Sequence, residues 1–539
     1  MLRKTLYVLC YFVGLLVNAQ QEFHVFPKDD ANSPGTSLGN GSLAQPWDLQ
    51  TALSQTTDIV NSGDTIWIHE GVYTGKFATS LQSLEPNQYI TVSGFNDDKV
   101  ILNGNVKSPK KSVLEIKSQQ VIFQNFEVTF LGEYARHVKD KGFIRADGIN
   151  HMSGQDCKFI NLIIHNNPGS GFGSWKHTGG TQIYGCKIYN NGFFSEVRGR
   201  GAGIYVQNLS DKTRVIKNNI IFNNYYMGIE VWSASTKATS SYVKNMLLEN
   251  NTVFNNGSSG GYYKNNIIVA TDDTNGINRA TNIKLINNIL FHNIDVAKSA
   301  KGDAGSLTLG INKKAPLLDV VVTDNIIIGG NNALRFDNAE NTVFKHNTIY
   351  GGYVHFYEHG LSNVETLDFN NNAYFSKNNR NFRVINKRDY TMADWKSSLS
   401  IDANSTWQNI KSFEMKSILN ISKNEFAQNE YRVSLFQKEG KPVIVDFSEY
   451  HLKTGTTFKI YDVENPKIVL KSGVLQNNGN IVFPMNNLNF EKPLHNTKAQ
   501  KTVSNFGVFI VEFEHSIPSE ISTDQKDNAL KRFFKWLGF

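Results

Sequence analysis

Three stretches of the chain share one five-residue phrase: Asn219-Ile-Ile-Phe-Asn, Asn251-Thr-Val-Phe-Asn and Asn288-Ile-Leu-Phe-His. Each begins with Asn, continues with three mostly apolar residues and ends on a small or polar residue. Six further copies, one of them with Cys in the Asn position, begin at Asn125, Asn161, Cys186, Asn325, Asn347 and Asn372. The copies are 22 to 37 residues apart. Repetition on this scale, with variable inserts, indicates a solenoid whose turns bury their apolar faces by stacking.

The phrase is too short and too rich in β-branched residues for a helix, and a recurring Asn suggests a ladder of stacked amides at a bend. We therefore predict an all-β protein built on a parallel β-helix. The repeats, with opening segments such as Gly63-Asp-Thr-Ile-Trp-Ile-His-Glu-Gly-Val-Tyr, resemble the right-handed parallel β-helix superfamily of secreted polysaccharide lyases and glycoside hydrolases, the pectate-lyase-like proteins. The resemblance implies a polysaccharide as substrate.

The sequence divides the chain into five parts. Residues 1–19 resemble a signal peptide, because Arg3 and Lys4 precede an apolar run too short to span a membrane. Residues 20–376 are predicted to form the capped β-helix and residues 377–429 a closing segment. Residues 430–515 alternate in the manner of a small antiparallel β-sandwich, an accessory domain that we expect to pack against the end of the solenoid. Residues 516–539 form an amphipathic basic tail.

Charge and cysteine content narrow the possible functions. The formal net charge is +7, and it falls to +5 without Arg3 and Lys4, an excess too small to indicate nucleic-acid binding. Only Cys157 and Cys186 follow the predicted signal peptide. In the repeat register they are four strand residues apart, which separates them by roughly 13 Å and exceeds the reach of a disulfide. We expect two buried thiols and no zinc site.

A second set of strands alternates with the Asn phrases, and its apolar residues identify the inner face. One predicted outward column comprises Arg145, Gly173, Tyr205, Glu230, Ile268, Thr308, Arg335 and His355. Its neighbour comprises Asp147, Trp175, Gln207, Trp232, Ala270, Gly310, Asp337 and Tyr357. Aromatic rings stack on sugars and polar groups bind hydroxyls or acid groups, so this face is a candidate glycan groove. The predicted binding residues are Trp175, Tyr205, Gln207, Trp232, Arg335, Asp337, His355 and Tyr357. Alternatively, long inserts fold over these rings and bury them.

A glycoside hydrolase would need two carboxyl groups at a suitable separation. Glu230 and Asp337 lie three rungs apart, roughly 14 Å, which is too far. Glu230 and Asp272 begin one rung apart, so hydrolysis by this pair is geometrically possible. The clustered Asp, Gly-His-Gly and Arg-Ile-Lys motifs of the polygalacturonase-like hydrolases are absent from the chain.

A lyase would need a base to remove the proton α to a uronate carboxyl and a cation to hold the resulting charge. The candidates are Glu230, Lys176, His177 and Arg200, with Arg198 in the same loop as Arg200. Similar secreted β-helix proteins often carry His where this chain has Arg200 and Ala202. Lyases of this architecture commonly use Ca²⁺, but no carboxylate cluster in the sequence suits a hard cation.

The sequence therefore favours a secreted, extracellular or periplasmic protein that cleaves an acidic glycan by β-elimination. A hydrolase of the same fold and a non-catalytic glycan-binding surface protein remain alternatives. We expect a polysaccharide as partner, no nucleic acid, no integral membrane segment and a monomeric protein. The cofactor is left open, with Ca²⁺ as the candidate.

Overall fold

The computed structural model of the protein describes residues 20–235, 237–273, 275–293 and 305–514. The predicted signal peptide and the basic tail lie outside the described residues. None of the helices in the described part of the chain is long and apolar enough to cross a membrane.

Three sheets of twelve strands each wind along the solenoid, so that one strand from each sheet forms a rung. The first sheet contains Glu22–Val25, Thr65–Ile68, Ile90–Gly94, Val121–Gln124, Lys158–Ile160, Gln182–Tyr184, Arg214–Lys217, Lys244–Glu249, Thr281–Ile286, Leu317–Thr323, Ala339–Lys345 and Leu367–Asn370. The second, which we call the groove sheet, contains Phe77–Thr79, Ser112–Ile116, Asp147–His151, Phe172–Ser174, Ile204–Val206, Ile229–Ser233, Ile267–Thr271, Leu307–Leu309, Leu334–Phe336, Val354–Tyr357, Phe382–Ile385 and Arg388–Tyr390. The third contains Gly71–Thr74, Val100–Asn103, Glu127–Thr129, Ile163–His165, Lys187–Tyr189, Ile220–Phe222, Thr252–Phe254, Ile289–Phe291, Ile326–Ile328, Thr348–Tyr350, Ala373–Ser376 and Thr406–Asn409. Parallel pairing throughout, except at the last groove-sheet strand, confirms the predicted β-helix.

The Asn phrase marks the corner between the first and third sheets. Asn288 is buried, and its Oδ1 accepts hydrogen bonds from the backbone N–H of Asn251 at 3.0 Å and from Asn251 Nδ2 at 2.9 Å. The same two bonds link the buried asparagines from Asn219 to Asn372. The predicted amide ladder is confirmed, and it satisfies the backbone groups that the bend would otherwise leave without partners.

The residue before each ladder position adopts a left-handed conformation, with φ 57° at Asn218 and φ 54° at Asn287. Asn tolerates this region better than most residues. In the first two copies, Asn125 and Asn161 themselves have positive φ. The ladder positions there are therefore one residue later than the sequence predicted.

A second amide ladder follows the corner between the third sheet and the groove sheet. Asn191 Oδ1 accepts from Asn167, Asn224 Oδ1 from Asn191, and Asn256 Oδ1 from Asn224, with side-chain bonds of 2.9 to 3.1 Å. Each of the three C-terminal members, Asn191, Asn224 and Asn256, follows an Asn with positive φ. This ladder was not predicted from the sequence, although the pairs Asn190-Asn191, Asn223-Asn224 and Asn255-Asn256 mark its positions.

Both ends of the solenoid are covered. Near the first rungs, the helix Leu49–Leu53 is capped by Asp48, whose carboxylate accepts from the backbone N–H of Thr51. The helix Met392–Leu399 lies at the other end, where buried Asp402 accepts from Trp395 Nε1 at 3.0 Å and from Asn372 Nδ2 at 3.1 Å. The carboxylate thus ends the first ladder. The last rung reaches Asn409, past the predicted end at residue 376.

The C-terminal domain is an antiparallel sandwich that begins at Ile418, earlier than the predicted boundary at 430. Its five-stranded sheet runs in the order Ile418–Asn424, Ala427–Phe436, Phe506–Phe513, Thr457–Asp462 and Val469–Val474, and Val443–Asp446 pairs with Asn480–Phe483. The domain packs on the outer face of the third sheet, where Phe506 stacks on Phe291 with ring centroids 4.1 Å apart. It therefore lies along the side of the solenoid, and its expected position at the end was wrong.

Short elements complete the described chain. The strands Phe193–Phe194 and Gly199–Arg200 form a hairpin, and single 3₁₀ turns occupy Ser258–Gly260, Glu358–Leu361, Val364–Thr366, Ile410–Ser412 and Ser448–Tyr450. Cys157 and Cys186 are buried free thiols, as predicted. Burial raises the pKa of both thiols to about 12, so they are inert packing residues at neutral pH.

Candidate functional site

The groove sheet presents one continuous outward column along the solenoid. Strand pairing places Asn150, Gly173, Tyr205, Glu230, Ile268, Thr308, Arg335, His355 and Arg383 in register on successive rungs. The predicted column is confirmed from Gly173 onward. Its first member is Asn150, because the strand spans Asp147–His151 and Arg145 precedes it; the predicted positions of Arg145 and Asp147 were wrong.

A cavity of about 450 Å³ opens over the middle of this column. Its floor consists of strand side chains, and its walls come from the segments that lead into the strands. The lining residues are Arg198, Arg200, Tyr205, Tyr226, Met227, Glu230, Trp232, Tyr263, Lys264, Asn265, Ile268, Gly305, Thr308, Ile311 and Arg335. The cavity therefore brings together five of the predicted site residues: Arg200, Tyr205, Glu230, Trp232 and Arg335.

Glu230 lies on the cavity floor, with Tyr205 and Ile268 as its neighbours on the adjacent rungs. Burial raises the pKa of the Glu230 carboxyl to about 7, although Arg198 and Arg200 act in the opposite direction. Among the described residues, neither arginine approaches the carboxylate closely enough for an ion pair. A carboxyl with this pKa can take up or release a proton near neutral pH.

The cavity is rich in cations. Arg198, Arg200, Lys264 and Arg335 line it, and Glu230 is its one carboxylate among the residues that the structure describes. Such an excess of positive charge favours an anionic ligand, because arginine pairs well with planar carboxylates.

Arg198 and Arg200 reach the cavity from the hairpin Phe193–Phe194/Gly199–Arg200. A side chain at Gly199 would place its Cβ 2.0 Å from the carbonyl oxygen of Tyr225, so only glycine allows the hairpin to lie this close. Arg198 Nη1 donates to the Tyr226 hydroxyl at 2.7 Å, and its guanidinium lies over the Tyr226 ring. The pair holds a phenol at the cavity wall.

Aromatic residues extend the site toward earlier rungs. The rings of Trp175 and Tyr205 lie 5.3 Å apart, and Trp175 Nε1 donates to Asn150 Oδ1 at 2.6 Å. Gln207 is buried, and its Nε2 donates to the Tyr205 hydroxyl at 3.1 Å. Trp175 is 37% exposed, so no insert among the described residues folds over it as core.

Three of the predicted catalytic residues lie outside the cavity. Lys176 and His177 occupy the turn after Trp175, and Lys176 Nζ lies 3.9 Å from the centroid of the Tyr242 ring. Asp272 follows the strand Ile267–Thr271 and accepts from Asn312 Nδ2 at 3.1 Å. It lies four residues beyond Ile268, about 13 Å along the strand, so it does not face Glu230 as a catalytic partner.

The remaining predicted binding residues lie further along the groove. Asp337 is buried, and burial raises the pKa of its carboxyl to about 7. His355 is half-buried one rung beyond Arg335, and Tyr357 is exposed with its ring 5.6 Å from that of His359. None of these three lines the central cavity.

Three further lining residues, Tyr226, Tyr263 and Lys264, were not predicted from the sequence. They stand just before the strands that begin at Ile229 and Ile267, at the corner where the chain enters the groove sheet. The tyrosine pairs Tyr225-Tyr226 and Tyr262-Tyr263 were a usable signal, since each places one ring at the cavity wall.

The cavity does not fit Ca²⁺, the metal expected from the resemblance. Ca²⁺ requires six to eight oxygen ligands, whereas the cavity offers one carboxylate beside four cationic side chains. In the described ranges, no cluster of three or more His, Cys, Asp or Glu side chains could hold a metal ion.

Comparisons with known proteins agree with the fold. Residues 87–266 match a family described as the right handed beta helix region, which confirms the predicted resemblance. No curated protein matches the chain in sequence.

Solved structures resemble the chain over most of its length. The pectate lyase Pel9A is 14% identical, with 74% of this chain and 83% of that chain covered at a TM-score of 0.39. The lacto-N-biosidase of Eubacterium ramulus is 12% identical, with coverage of 72% and 67% and a TM-score of 0.39. The alginate lyase of Paenibacillus sp. is 14% identical, with coverage of 72% and 98% and a TM-score of 0.35. At such identities and TM-scores the likeness says nothing about activity.

Proposed function

We propose that this right-handed β-helix protein is a polysaccharide lyase that cleaves an acidic glycan by β-elimination in the cavity around Glu230. The observation that carries the proposal is the charge pattern of the cavity: one carboxyl with a pKa raised to about 7, surrounded by Arg198, Arg200, Lys264 and Arg335. A uronate needs cations at its carboxylate and a base at the adjacent carbon, and this set supplies both.

In the proposed reaction, arginines bind the uronate carboxylate and stabilise the negative charge that develops on it. The ionised Glu230 removes the proton α to that carboxylate. The electron pair of the broken C–H bond forms the new C–C double bond, and the bond to the leaving glycosidic oxygen breaks. Tyr226, whose hydroxyl accepts the Arg198 hydrogen bond at 2.7 Å, gives its own proton to the leaving oxygen.

Hydrolysis is the second candidate, and the geometry favours it less. Hydrolases place two carboxyl groups about 5 to 9.5 Å apart. Within the described part of the cavity lining, Glu230 has no such partner. Asp337 also has a raised carboxyl pKa, but it lies three rungs away, roughly 14 Å along the axis.

A screen of acidic and neutral polysaccharides tests the proposal. We expect new ultraviolet absorbance from unsaturated uronides on an acidic glycan, with activity rising as the pH increases through about 7, because Glu230 must be ionised. New reducing ends without that absorbance would indicate a hydrolase. Retention of the glycan without cleavage would indicate a binding protein.

Two carboxamide variants locate the chemistry. Glu230→Gln keeps the shape of the side chain and removes the titrating group, so turnover should fall by at least 10². Asp337→Asn is the matched control, because it neutralises a groove carboxyl whose pKa is likewise raised to about 7 but which lies outside the cavity, and it should leave turnover nearly unchanged. Activity that survives Glu230→Gln would place the reaction elsewhere.

We also propose that the protein is secreted and acts as a monomer. Secretion is proposed from the N-terminal residues Arg3 and Lys4 with the apolar run behind them. N-terminal sequencing of the exported protein should give a start near Gln20, and light scattering should give the mass of one chain.

A further inference from the structure

The C-terminal domain is joined to the cavity by a chain of hydrogen bonds. Residues 484–505, which we call the strap, lead from the strand Asn480–Phe483 to the strand Phe506–Phe513 without forming a strand of their own. The strap follows the corner between the third sheet and the groove sheet. This is the corner from which the cavity walls arise.

Several buried contacts fix the strap to that corner. Asn496 Nδ2 donates to the carbonyl oxygen of Ser259 at 2.9 Å, and Asn255 Nδ2 donates to Thr502 Oγ1 at 2.8 Å. Asn255, Asn496 and Thr502 are all at least 95% buried. On its other side, Lys501 Nζ lies 2.8 Å from Asp462 Oδ2, which ties the strap to the sandwich.

One branch of these contacts reaches the cavity directly. The backbone N–H of Val503 donates to Asn293 Oδ1 at 3.2 Å, and Asn293 Nδ2 donates to the hydroxyl of Tyr263 at 2.8 Å. Asn293 is 5% exposed, and Tyr263 lines the cavity. The amide of Asn293 therefore links a strap N–H to a cavity hydroxyl with no intervening side chain.

The wall beside Tyr263 is held in the same way from within the solenoid. His292 Nε2 lies 2.9 Å from the carbonyl oxygen of Lys264 and 3.2 Å from that of Gly305, so its N–H is shared between two lining residues. Burial lowers the pKa of His292 to about 4, which keeps this imidazole neutral at working pH. The Tyr263–Lys264 wall thus depends on two neighbouring residues, His292 at the end of one Asn phrase and Asn293 directly after it.

We infer that the C-terminal domain positions the cavity wall. Asn293 is the positioning residue, because its amide hydrogen-bonds to the strap on one side and to the Tyr263 hydroxyl on the other. This role deepens the proposed function, since it assumes that the Glu230 cavity binds the glycan. It also gives the accessory domain a task other than sugar binding. Asn293 contacts no substrate and acts through the orientation of the Tyr263 hydroxyl.

A double-mutant cycle tests the coupling. Asn293→Ala and Tyr263→Phe each remove one end of the 2.8 Å bond, and each should raise KM about fivefold while kcat changes less than KM, as expected for the loss of one neutral hydrogen bond. The double variant should be no worse than either single variant. His495→Ala is the control, because it removes a strap contact to the carbonyl oxygen of Gly132 on an exposed side chain.

Hydrogen exchange supplies a readout that does not require activity. Asn293→Ala should speed amide exchange in residues 257–265, and His495→Ala should not. Additive effects on KM, or unchanged exchange in residues 257–265, would overturn the inference. If no glycan is cleaved but exchange responds as expected, the positioning role stands and the proposed lyase activity fails. If Asn293→Ala does not fold, Thr502→Val removes the bond to Asn255 instead and should give the same exchange result.

Discussion

Replacing Asn288 by Leu should destabilise the solenoid, because it removes every side-chain hydrogen bond of a buried ladder residue. Asn288 is 1% exposed and makes four side-chain hydrogen bonds. Its Oδ1 accepts from the backbone N–H and Nδ2 of Asn251, and its Nδ2 donates to the carbonyl oxygen of Leu248 at 3.0 Å and to Asn325 Oδ1 at 2.9 Å. Leucine has the same branching and the same number of side-chain heavy atoms but none of these groups.

The loss of unfolding free energy depends on which hydrogen-bond partners of Asn288 remain without a partner. Asn325 Oδ1 still accepts from the backbone N–H of residue 288, and Asn251 Nδ2 still donates to Ile216. The backbone N–H of Asn251 loses its acceptor at the corner, and the carbonyl oxygen of Leu248 loses the amide donor. Two buried unsatisfied groups cost about 1–3 kcal/mol each, and burial of the leucine methyl groups offsets about 1–2 kcal/mol. We expect a net loss of about 2–3 kcal/mol, the middle of the range that these figures span.

Urea unfolding followed by circular dichroism measures this loss. Lys284→Leu is the matched control, because it introduces the same side chain on the exposed face of the strand Thr281–Ile286, which ends two residues before Asn288. The control should change the unfolding midpoint little. A midpoint for Asn288→Leu equal to that of the control would refute the reasoning that the ladder satisfies backbone groups at the corner.

Three further predictions concern charge and packing. Glu230→Gln should be more stable than the wild-type protein at pH 8, by on the order of 1–3 kcal/mol, and equally stable at pH 4. Folding raises the pKa of Glu230 from 4.5 to about 7, so the wild-type protein loses stability as the pH rises through this range, whereas glutamine does not titrate. Equal unfolding midpoints of the two proteins at pH 8 would contradict this prediction. Arg335→Gln should raise KM about tenfold on an acidic glycan and leave binding of a neutral one unchanged. Arg145→Gln, outside the cavity, should change the binding of neither glycan. Cys186→Asn should extend the ladder, since the backbone N–H of Cys186 already donates to Asn219 Oδ1 at 2.9 Å, and raise the free energy of unfolding by about 1 kcal/mol; a lower melting temperature would show that the site cannot hold the amide.

The repeated phrase made the fold predictable because one physical requirement recurs at every corner. Asn251 and Asn288 must occupy the buried position at which backbone groups need partners, so their spacing gives the rungs. For the copies at Asn125 and Asn161, the predicted ladder position was wrong by one residue. At these rungs asparagine serves the left-handed bend, and the apolar Phe126 and Leu162 take the buried position. Asn suits both places, so composition alone does not distinguish them.

The floor of the cavity was predictable and its walls were not. Strand alternation placed Tyr205, Glu230 and Arg335 on one outward column, and strand pairing confirms it. Tyr226, Tyr263 and Lys264 reach the cavity from corner segments of unequal length. No periodicity governs such segments, and their course depends on contacts distant in the sequence, such as the bond from Asn293 to Tyr263.

The same alternation explains why the Glu230 carboxyl titrates near neutrality. A rung spacing of about 4.8 Å puts Tyr205 and Ile268 on either side of Glu230, and neither carries a cation. Arg198 and Arg200 come from a hairpin across the cavity, close enough to oppose the effect of burial but not to cancel it. The nearest cation within the column is Arg335, three rungs on. An ammonium or guanidinium at position 268 would pair with the carboxylate and hold its pKa low, which would leave a weak base. The apolar neighbour therefore leaves burial as the main influence on the Glu230 carboxyl, which keeps its pKa near neutrality.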